Sequence, residues 1–153
     1  MKVSPELNVT LADPIQANEF DLPQGLIGFP DFHRAELLFD AAQLPYLWMK
    51  VSGPDGAVNF VVIEPGGIIA GYELEIFDND AEALGIVDPG ETMVLNIVTV
   101  QRQNPLHATV NLAGPIVVNR RTRVGRQLVI ANYARYSTRH VLVASEATVS
   151  LSA

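Results

Sequence analysis

The stretch YLWMKVSGPDGAVNFVVI, residues 46–63, indicates the fold more clearly than any other part of the chain. Residues 46–51 and 58–63 are rich in β-branched, aromatic and other apolar side chains, which is typical of strands. Between them lies a turn-forming segment in which proline fixes φ and glycine permits positive φ. The stretch therefore predicts an antiparallel hairpin. Because residues 46–51 are apolar almost throughout, we expect that strand to be buried on both faces.

Further short apolar runs extend this pattern along the chain. Residues 93–100 form the longest run, and their β-branched content argues against a helix. Pro115 cannot donate to a strand ladder, so it predicts a bend or an edge. Ten prolines and eleven glycines separate many short strands, which indicates an all-β fold, a compact β-barrel-like single domain. The other predicted strands are 35–39, 108–112, 116–119 and 127–131.

Helical signals are confined to one or two short turns. Residues 80–85 predict a turn in which Asp80 caps the N-terminus and Gly85 ends it. Residues 40–44 predict another. The arginine-rich segment 120–126 lies between two predicted strands, so we expect a hairpin tip in which Gly125 takes the positive φ.

The composition limits the possible functions. The chain has 153 residues, 48 % apolar and 18 % charged, which suits one domain with one core. Its net charge of −7 predicts repulsion of nucleic acid and anionic membranes, and attraction to a basic partner. The absence of cysteine excludes thiol catalysis, thiolate metal sites and disulfides. We find no signal-peptide pattern and no membrane-span pattern, and therefore expect a soluble cytoplasmic protein.

The charges are unevenly distributed along the chain. Residues 1–92 contain sixteen acidic and three basic residues, whereas residues 93–153 contain one glutamate and seven arginines. No composition break or linker separates the two halves. We therefore expect them to interleave in one fold, with their charges pairing across the surface.

The candidates for catalysis and metal binding are weak. Ser137 and His140 could form a nucleophile–base pair on a helix, but an extended segment would direct them to opposite faces. The three histidines show no metal-ligand spacing, and no phosphate-binding loop is present, so we expect no metal and no cofactor. The arginines of 120–126 could bind phosphates or a protein, but no aromatic residue lies among them to stack bases.

The acidic and aromatic segment 71–82 is more suggestive. Alternation places Tyr72 on one face with Leu74 and Ile76, and it places Glu73 and Glu75 on the other with Phe77. Such a strand could be a docking edge for a basic protein. It could equally be an ordinary edge strand that uses charge to avoid aggregation.

Four stretches in order resemble the FliW family of flagellar assembly factors. They are FDLPQGLIGF (20–29), NFVVIEP (59–65) followed by YELE (72–75), VNLAGPIVVN (110–119), and GRQLVI (125–130) followed by YSTRH (136–140). The resemblance extends over residues 15–142. Two features differ from the family pattern: Gly114 stands where alanine is usual, and residues 65–71 replace a more aromatic stretch.

The resemblance implies a β-barrel-like fold without enzymatic activity. We expect the protein to be monomeric when alone. The resemblance also implies a partner switch in which the protein binds flagellin or the translational repressor CsrA, and free protein relieves repression of flagellin mRNA. No direct contact with nucleic acid or membrane is expected. We expect the ends, residues 1–12 and 144–153, to be flexible. The predicted CsrA-facing residues are Tyr72, Glu73, Glu75, Asp78 and Asp80. The alternative is a hydrolytic or small-molecule-binding barrel around Ser137 and His140.

Overall fold

The computed structural model describes residues 1–5, 18–101 and 107–143. Within them the chain is mostly β-structure with a few short helical turns, which confirms the predicted fold class. 3-10 turns lie at Ala41–Gln43, Pro89–Glu91 and Tyr133–Arg135. The other elements are β1 (Lys2–Val3), β2 (Glu19–Asp21), β3 (Arg34–Leu38), β4 (Leu47–Gly53), β5 (Gly56–Ile63), β6 (Leu74–Glu75), α1 (Asp78–Ala83), β7 (Thr92–Gln101), β8 (His107–Val110), β9 (Ile116–Asn119), β10 (Val124–Gln127) and β11 (His140–Val143).

Seven strands close into a barrel in the order β7-β5-β4-β3-β2-β10-β9, with β9 returning to β7. The long strand β7 makes this closure possible. Its first half pairs with β9 from Thr92 to Leu95, and its second half pairs with β8 from Val98 to Gln101. Strands β8 and β11 therefore extend the sheet beyond the barrel. The parallel contact of β2 with β10 completes the ring.

Two apolar cores lie on the two faces of β7 and β9. The barrel interior contains Phe20 and Met49, together with Leu95 of β7. The outer core lies between the barrel wall and a second layer formed by β1, β6 and α1, and it contains Leu74 and Leu84. Because successive side chains of a strand alternate, β7 and β9 contribute to both cores and are buried on both faces.

The predicted hairpin of residues 46–63 is confirmed as β4 and β5, which pair from Leu47↔Val62 to Gly53↔Gly56. The expectation that its first strand is buried on both faces is wrong. Lys50 is exposed and Trp48 half-buried, while Met49 and Val51 fill the barrel. The second layer covers β7 and β9, so full burial occurs there instead.

The prediction of a strand at 127–131 is also wrong, because β10 is Val124–Gln127. The following residues stay extended along the loop before β9 without forming a ladder. Leu128 N donates to Pro115 O (2.9 Å) and Ile130 N donates to Ala113 O (3.3 Å). Pro115 has no N–H to return such a bond, which is why regular pairing ends at Gln127.

The arginine-rich segment forms the β9–β10 turn as predicted, but Arg123 adopts the positive φ (60°) and Gly125 does not. Gly125 is needed for a different reason. A Cβ there would lie 2.9 Å from Val118 Cγ2 and 3.3 Å from Phe20 Cδ2. The glycine therefore allows β10 to pack closely against the barrel interior.

The predicted helical turn at 80–85 is observed as α1, and Gly85 ends it with φ of 66°. The proposed cap is wrong: the N-cap is Phe77, whose side chain makes no capping bond. The turn at 40–44 is confirmed, with Asp40 Oδ1 accepting from Ala42 N at 3.0 Å. No helix among the described residues has the length and apolar character needed to cross a membrane.

The chain was expected to be flexible at residues 1–12 and 144–153. Residues 6–12 and 144–153 lie outside the described residues. The first five residues are described, and Val3 is 1 % exposed because β1 pairs with β6 over the outer core.

Candidate functional site

The alternation predicted for residues 72–77 is present. Tyr72, Leu74 and Ile76 are buried in the outer core, while Glu73 and Glu75 face outward and are half-buried. Phe77 continues the outward face and is 48 % exposed. The segment therefore combines carboxylates with an exposed aromatic ring.

Strand β6 is not an open edge. On one side it pairs with β1, and Ile76 N donates to Met1 O at 2.8 Å. On the other side Asn132 takes the place of a neighbouring strand, since its Nδ2 donates to Glu73 O (2.8 Å) and its Oδ1 accepts from Glu75 N (2.9 Å). The backbone of β6 therefore cannot serve as a docking edge. Only the side chains of β6 are available to a partner.

Two more contacts join β6 to residues 131–136, and we call this line of contacts the seam. Ala131 N donates to Glu75 O at 2.7 Å, and Glu73 N donates to the hydroxyl of Tyr136 at 3.0 Å. We did not anticipate the role of Asn132 from the sequence. The only available signal was that an asparagine side chain carries one acceptor and one donor group, as a peptide unit does.

The five predicted partner-binding residues do not share one environment. Glu73 lies 3.8 Å from Lys2 Nζ, and the side chain of Asp78 is fully exposed, 3.9 Å from the Met1 amino nitrogen. Glu75 forms no ion pair with any described residue. Asp80 turns inward to Arg126 Nη1 at 3.5 Å, with 16 % of its side chain exposed. We call Glu73, Glu75 and Asp78 the acidic surface.

Tyr72 lies beneath the acidic surface and is 5 % exposed. Its hydroxyl donates to Leu112 O and accepts from Asn96 Nδ2 at 3.2 Å. Its ring meets Tyr136 edge-on at 4.9 Å between centroids. Burial raises the pKa of Tyr72 well above its ordinary value, so the hydroxyl stays protonated. Tyr72 thus supports the surface and does not itself face a partner, contrary to our expectation.

The arginines of the β9–β10 turn are occupied by carboxylates from the first half of the chain. Arg120 lies 3.8 Å from Glu64, and Arg121 lies 3.5 Å from Glu91. Arg126 holds Asp80, as described above. The interleaving of oppositely charged halves is thereby confirmed. These side chains do not form the free basic groove that RNA binding would need.

The turn itself is organised by the buried side chain of Asn119. Its Oδ1 accepts from Arg121 N at 2.9 Å and from Thr122 N at 3.3 Å, while its Nδ2 donates to Leu84 O at 2.8 Å. Arg123 crosses to β2, where its Nη2 donates to Glu19 O at 3.1 Å. Burial lowers the pKa of Arg123, and the nearby Arg120 adds to this.

The geometry does not support a nucleophile–base pair at Ser137 and His140. Both residues are exposed, and Ser137 Oγ accepts from Arg139 N at 2.9 Å. Ser137 O accepts from Leu112 N at 3.0 Å, while His140 begins β11. Through these contacts the segment from Tyr136 to His140 is bonded to its own backbone and to the residues that follow β8.

Neither described cavity supplies a reaction centre for these two residues. One, of about 440 Å³, lies between Ser4–Pro5 and the loop 65–73. The other, of about 260 Å³, lies between β1 and the turn at Pro89. Ser137 and His140 line neither of them. Within the described ranges, no group of three metal-ligating side chains is assembled.

Comparison with known proteins gives a consistent result. The profile of the FliW protein family matches residues 7–142. Flagellar assembly factor FliW of Natranaerobius thermophilus is 34 % identical over 88 % of this chain and 89 % of its own length. FliW of Treponema pallidum is 36 % identical over 82 % of this chain and 81 % of its own length. A crystal structure of flagellar assembly factor FliW superposes with a TM-score of 0.73 at 27 % identity, covering 96 % of this chain and all of the other. The chain therefore belongs to the FliW family of flagellar assembly factors.

Proposed function

We propose that this protein is a cytoplasmic, non-enzymatic regulator that binds either CsrA or flagellin. When flagellin is abundant it occupies the protein. When flagellin is exported, the free protein binds CsrA through the acidic surface and relieves the repression of flagellin mRNA. The family resemblance supplies these partners, and the acidic surface supplies a physical basis for the first of them.

The observation that carries the proposal is the rigid presentation of the outward carboxylates. Glu73 and Glu75 extend from a strand whose backbone is hydrogen-bonded on both edges, to β1 and to residues 131–136. A partner therefore meets carboxylates whose backbone is already ordered, which reduces the entropy lost on binding. The net charge of −7 steers a basic protein towards the molecule and repels RNA.

An exposed apolar side chain lies next to the acidic surface. Phe77 is 48 % exposed and lies between Glu75 and Asp78 in the chain. Aromatic residues surrounded by charged groups are typical of the centres of protein interfaces. CsrA, an RNA-binding dimer, is expected to offer a basic surface, so the charges are complementary.

The test is a binding titration with CsrA and with flagellin, alone and in competition, over a series of salt concentrations. Glu75→Lys is the informative variant, because Glu75 forms no ion pair with any described residue. Asp55→Lys, at the tip of the β4–β5 hairpin, makes the same change of charge on a different sheet from that of β6. We expect Glu75→Lys to weaken CsrA binding about tenfold and to reduce its salt dependence, since a rim charge acts through steering.

Equal weakening by Asp55→Lys would show that only net charge matters and would reject the acidic surface as the site. Simultaneous binding of both partners would reject the switch. Turnover of a substrate that is lost in Ser137→Ala would reject the non-enzymatic proposal.

A further inference from the structure

The segment from Tyr133 to His140 carries positive charge that the fold does not neutralise. Arg135, Arg139 and His140 are exposed. None of them forms an ion pair with a residue in the described ranges. The sequence contains no acidic residue from 92 to 145, so no carboxylate lies nearby in the chain. We propose that Arg135 and Arg139, with the exposed imidazole of the neighbouring His140 as a hydrogen-bonding group, form a cationic surface that docks a carboxylate-bearing protein segment.

The other arginines of this half of the chain show that pairing is the usual arrangement here. Arg120, Arg121 and Arg126 each reach a carboxylate of the first half within 4 Å. The fold thus brings acidic groups to arginines in the β9–β10 turn but brings none to Arg135 or Arg139. Unpaired guanidinium groups of this kind remain available for bidentate bonds to a partner's carboxylates.

The backbone that carries these side chains is fixed at several points. The hydroxyl of Tyr136 accepts from Glu73 N at 3.0 Å, and Ser137 is bonded through both Oγ and its carbonyl. The guanidinium of Arg135 lies 5.9 Å from the centroid of the Tyr136 ring. His140 pairs with Val110 of β8. The cationic surface is therefore preorganised, which favours binding.

The surface adjoins β11, an edge strand of the part of the sheet that the structure describes. Among the described strands, β11 has β8 as its single neighbour. Val141 on β11 is 52 % exposed, and Tyr133 at the start of the segment is 56 % exposed. An extended segment could add to this edge through backbone hydrogen bonds while Arg139 and His140 contact its carboxylates. An edge strand beside exposed apolar and cationic groups thus favours an acidic peptide of mixed polarity.

RNA is the other polyanion that such a surface would attract. The whole molecule has a net charge of −7, and the cationic surface joins the acidic one through the bond between Tyr136 and Glu73. The phosphodiester backbone of a long RNA would pass close to those carboxylates and be repelled by them. A short acidic protein segment can bind without approaching them. The charges therefore favour a protein segment. This proposal goes beyond the partner switch and does not depend on CsrA binding.

The test uses the full chain and a fluorescein-labelled peptide of repeating Glu-Val-Glu-Ser, with a Lys-Val-Lys-Ser peptide and oligouridylate as competing probes. Arg139→Gln is compared with Lys50→Gln, which removes one positive charge from an exposed site on β4. We expect Arg139→Gln to weaken binding of the acidic peptide about fivefold, the upper range for one exposed ion pair, with Lys50→Gln close to the parent protein. Arg139→Lys keeps the charge but loses the bidentate fork, so its affinity should lie between those of the parent protein and Arg139→Gln, and circular dichroism should be unchanged for all three variants.

Equal losses in Arg139→Gln and Lys50→Gln would overturn the proposal, because binding would follow net charge alone. Stronger binding of oligouridylate than of the acidic peptide would overturn it in favour of RNA. Glu75→Lys, which tests the acidic surface, should leave peptide binding intact or strengthen it. Failure of the CsrA titration and failure of this proposal are thus distinguishable.

Discussion

Arg120 lies 3.8 Å from the buried carboxylate of Glu64, whereas Arg139 is exposed and reaches no carboxylate in the described ranges. In the sequence the two arginines look alike, since each follows an uncharged polar residue and neither has an acidic neighbour. The difference arises from what the fold places opposite them. A charge that the fold neutralises stabilises the structure, and a charge that it leaves in solvent is available to a partner.

This contrast between the β9–β10 turn and the seam of β6 with residues 131–140 has measurable consequences. Substitutions in the turn should reduce the free energy of unfolding and leave the intrinsic affinity for partners unchanged. Substitutions in the seam should have small effects on stability and larger effects on binding.

The largest effect is expected at Asn119. Asn119→Ala removes the acceptor of Arg121 N and Thr122 N and the donor to Leu84 O, all at a fully buried side chain. We expect the free energy of unfolding to fall by about 3 kcal/mol, measured by urea denaturation, because buried backbone groups lose their partners. The control Thr122→Ala, at an exposed side chain, should change it by less than about 0.5 kcal/mol. Similar losses in both variants would contradict the role given to Asn119.

The adjacent arginines give the second prediction. Arg120→Met leaves the 4 % exposed Glu64 without its arginine and should cost about 2–3 kcal/mol in the free energy of unfolding. Arg121→Met breaks a pair with Glu91 in which the arginine side chain is 63 % exposed, and should cost less than about 1 kcal/mol.

Adding Glu64→Gln to Arg120→Met should restore part of the loss, because the buried negative charge that faced Arg120 is gone. If Arg120→Met and Arg121→Met were equally stable, the distinction between buried and exposed pairs in this turn would be wrong.

The third prediction concerns alkaline pH. Burial raises the pKa of Tyr72 in the folded protein, whereas in the unfolded chain a tyrosine ionises near its ordinary value of about 10. The contribution of Tyr72 to the free energy of unfolding is therefore at its full value below pH 10. Above pH 10 it falls by about 1.4 kcal/mol per pH unit. Tyr46, whose pKa burial also raises, adds to the loss.

Tyr72→Phe removes one of these two contributions and should flatten the decline between pH 10 and 11. Urea denaturation at several pH values measures the slope. An unchanged slope in Tyr72→Phe would show that Tyr72 ionises normally in the fold.

The smallest effect on stability is expected at Asn132. Asn132→Ala leaves Glu73 O and Glu75 N to water on a half-exposed strand, which should cost about 1 kcal/mol. Without these bonds the backbone that carries Glu73 and Glu75 is more mobile. CsrA binding should weaken about threefold, since a more flexible surface loses more entropy on docking. Asn79→Ala, at an exposed residue of α1, is the control. A large loss of stability with unchanged CsrA binding would show that Asn132 acts as the residues of the β9–β10 turn do, by stabilising the fold, and would contradict its role in binding.

Local patterns predicted much of the fold. The β4–β5 hairpin, the long strand β7 and the strand β9 were identified because their residue types and turn chemistry act over a few neighbouring positions. The outward direction of Glu73 and Glu75 followed from strict alternation. Pairing of the charged halves was also anticipated, although without the identity of the pairs.

Other features escaped prediction because distant residues decide them. Asp80 could have capped α1, but the fold brings Arg126 to it, and Phe77 is the N-cap residue instead. Gly125 was predicted to be a turn glycine with positive φ. It is required instead because Phe20 and Val118 leave no space for a Cβ at that position. Tyr72 was predicted to face CsrA, but the fold buries its ring and bonds its hydroxyl to Leu112 O and Asn96 Nδ2.

The sequence by itself determined the strands, the turns between them and the alternation of acidic and apolar side chains, because these depend on neighbours in the chain. Tertiary structure alone decided which charges are neutralised, which strand edges are covered and which aromatic rings reach solvent. Those outcomes depend on groups far apart in the sequence, and electrostatic and hydrogen-bond energies are set by the few ångströms that separate them after folding.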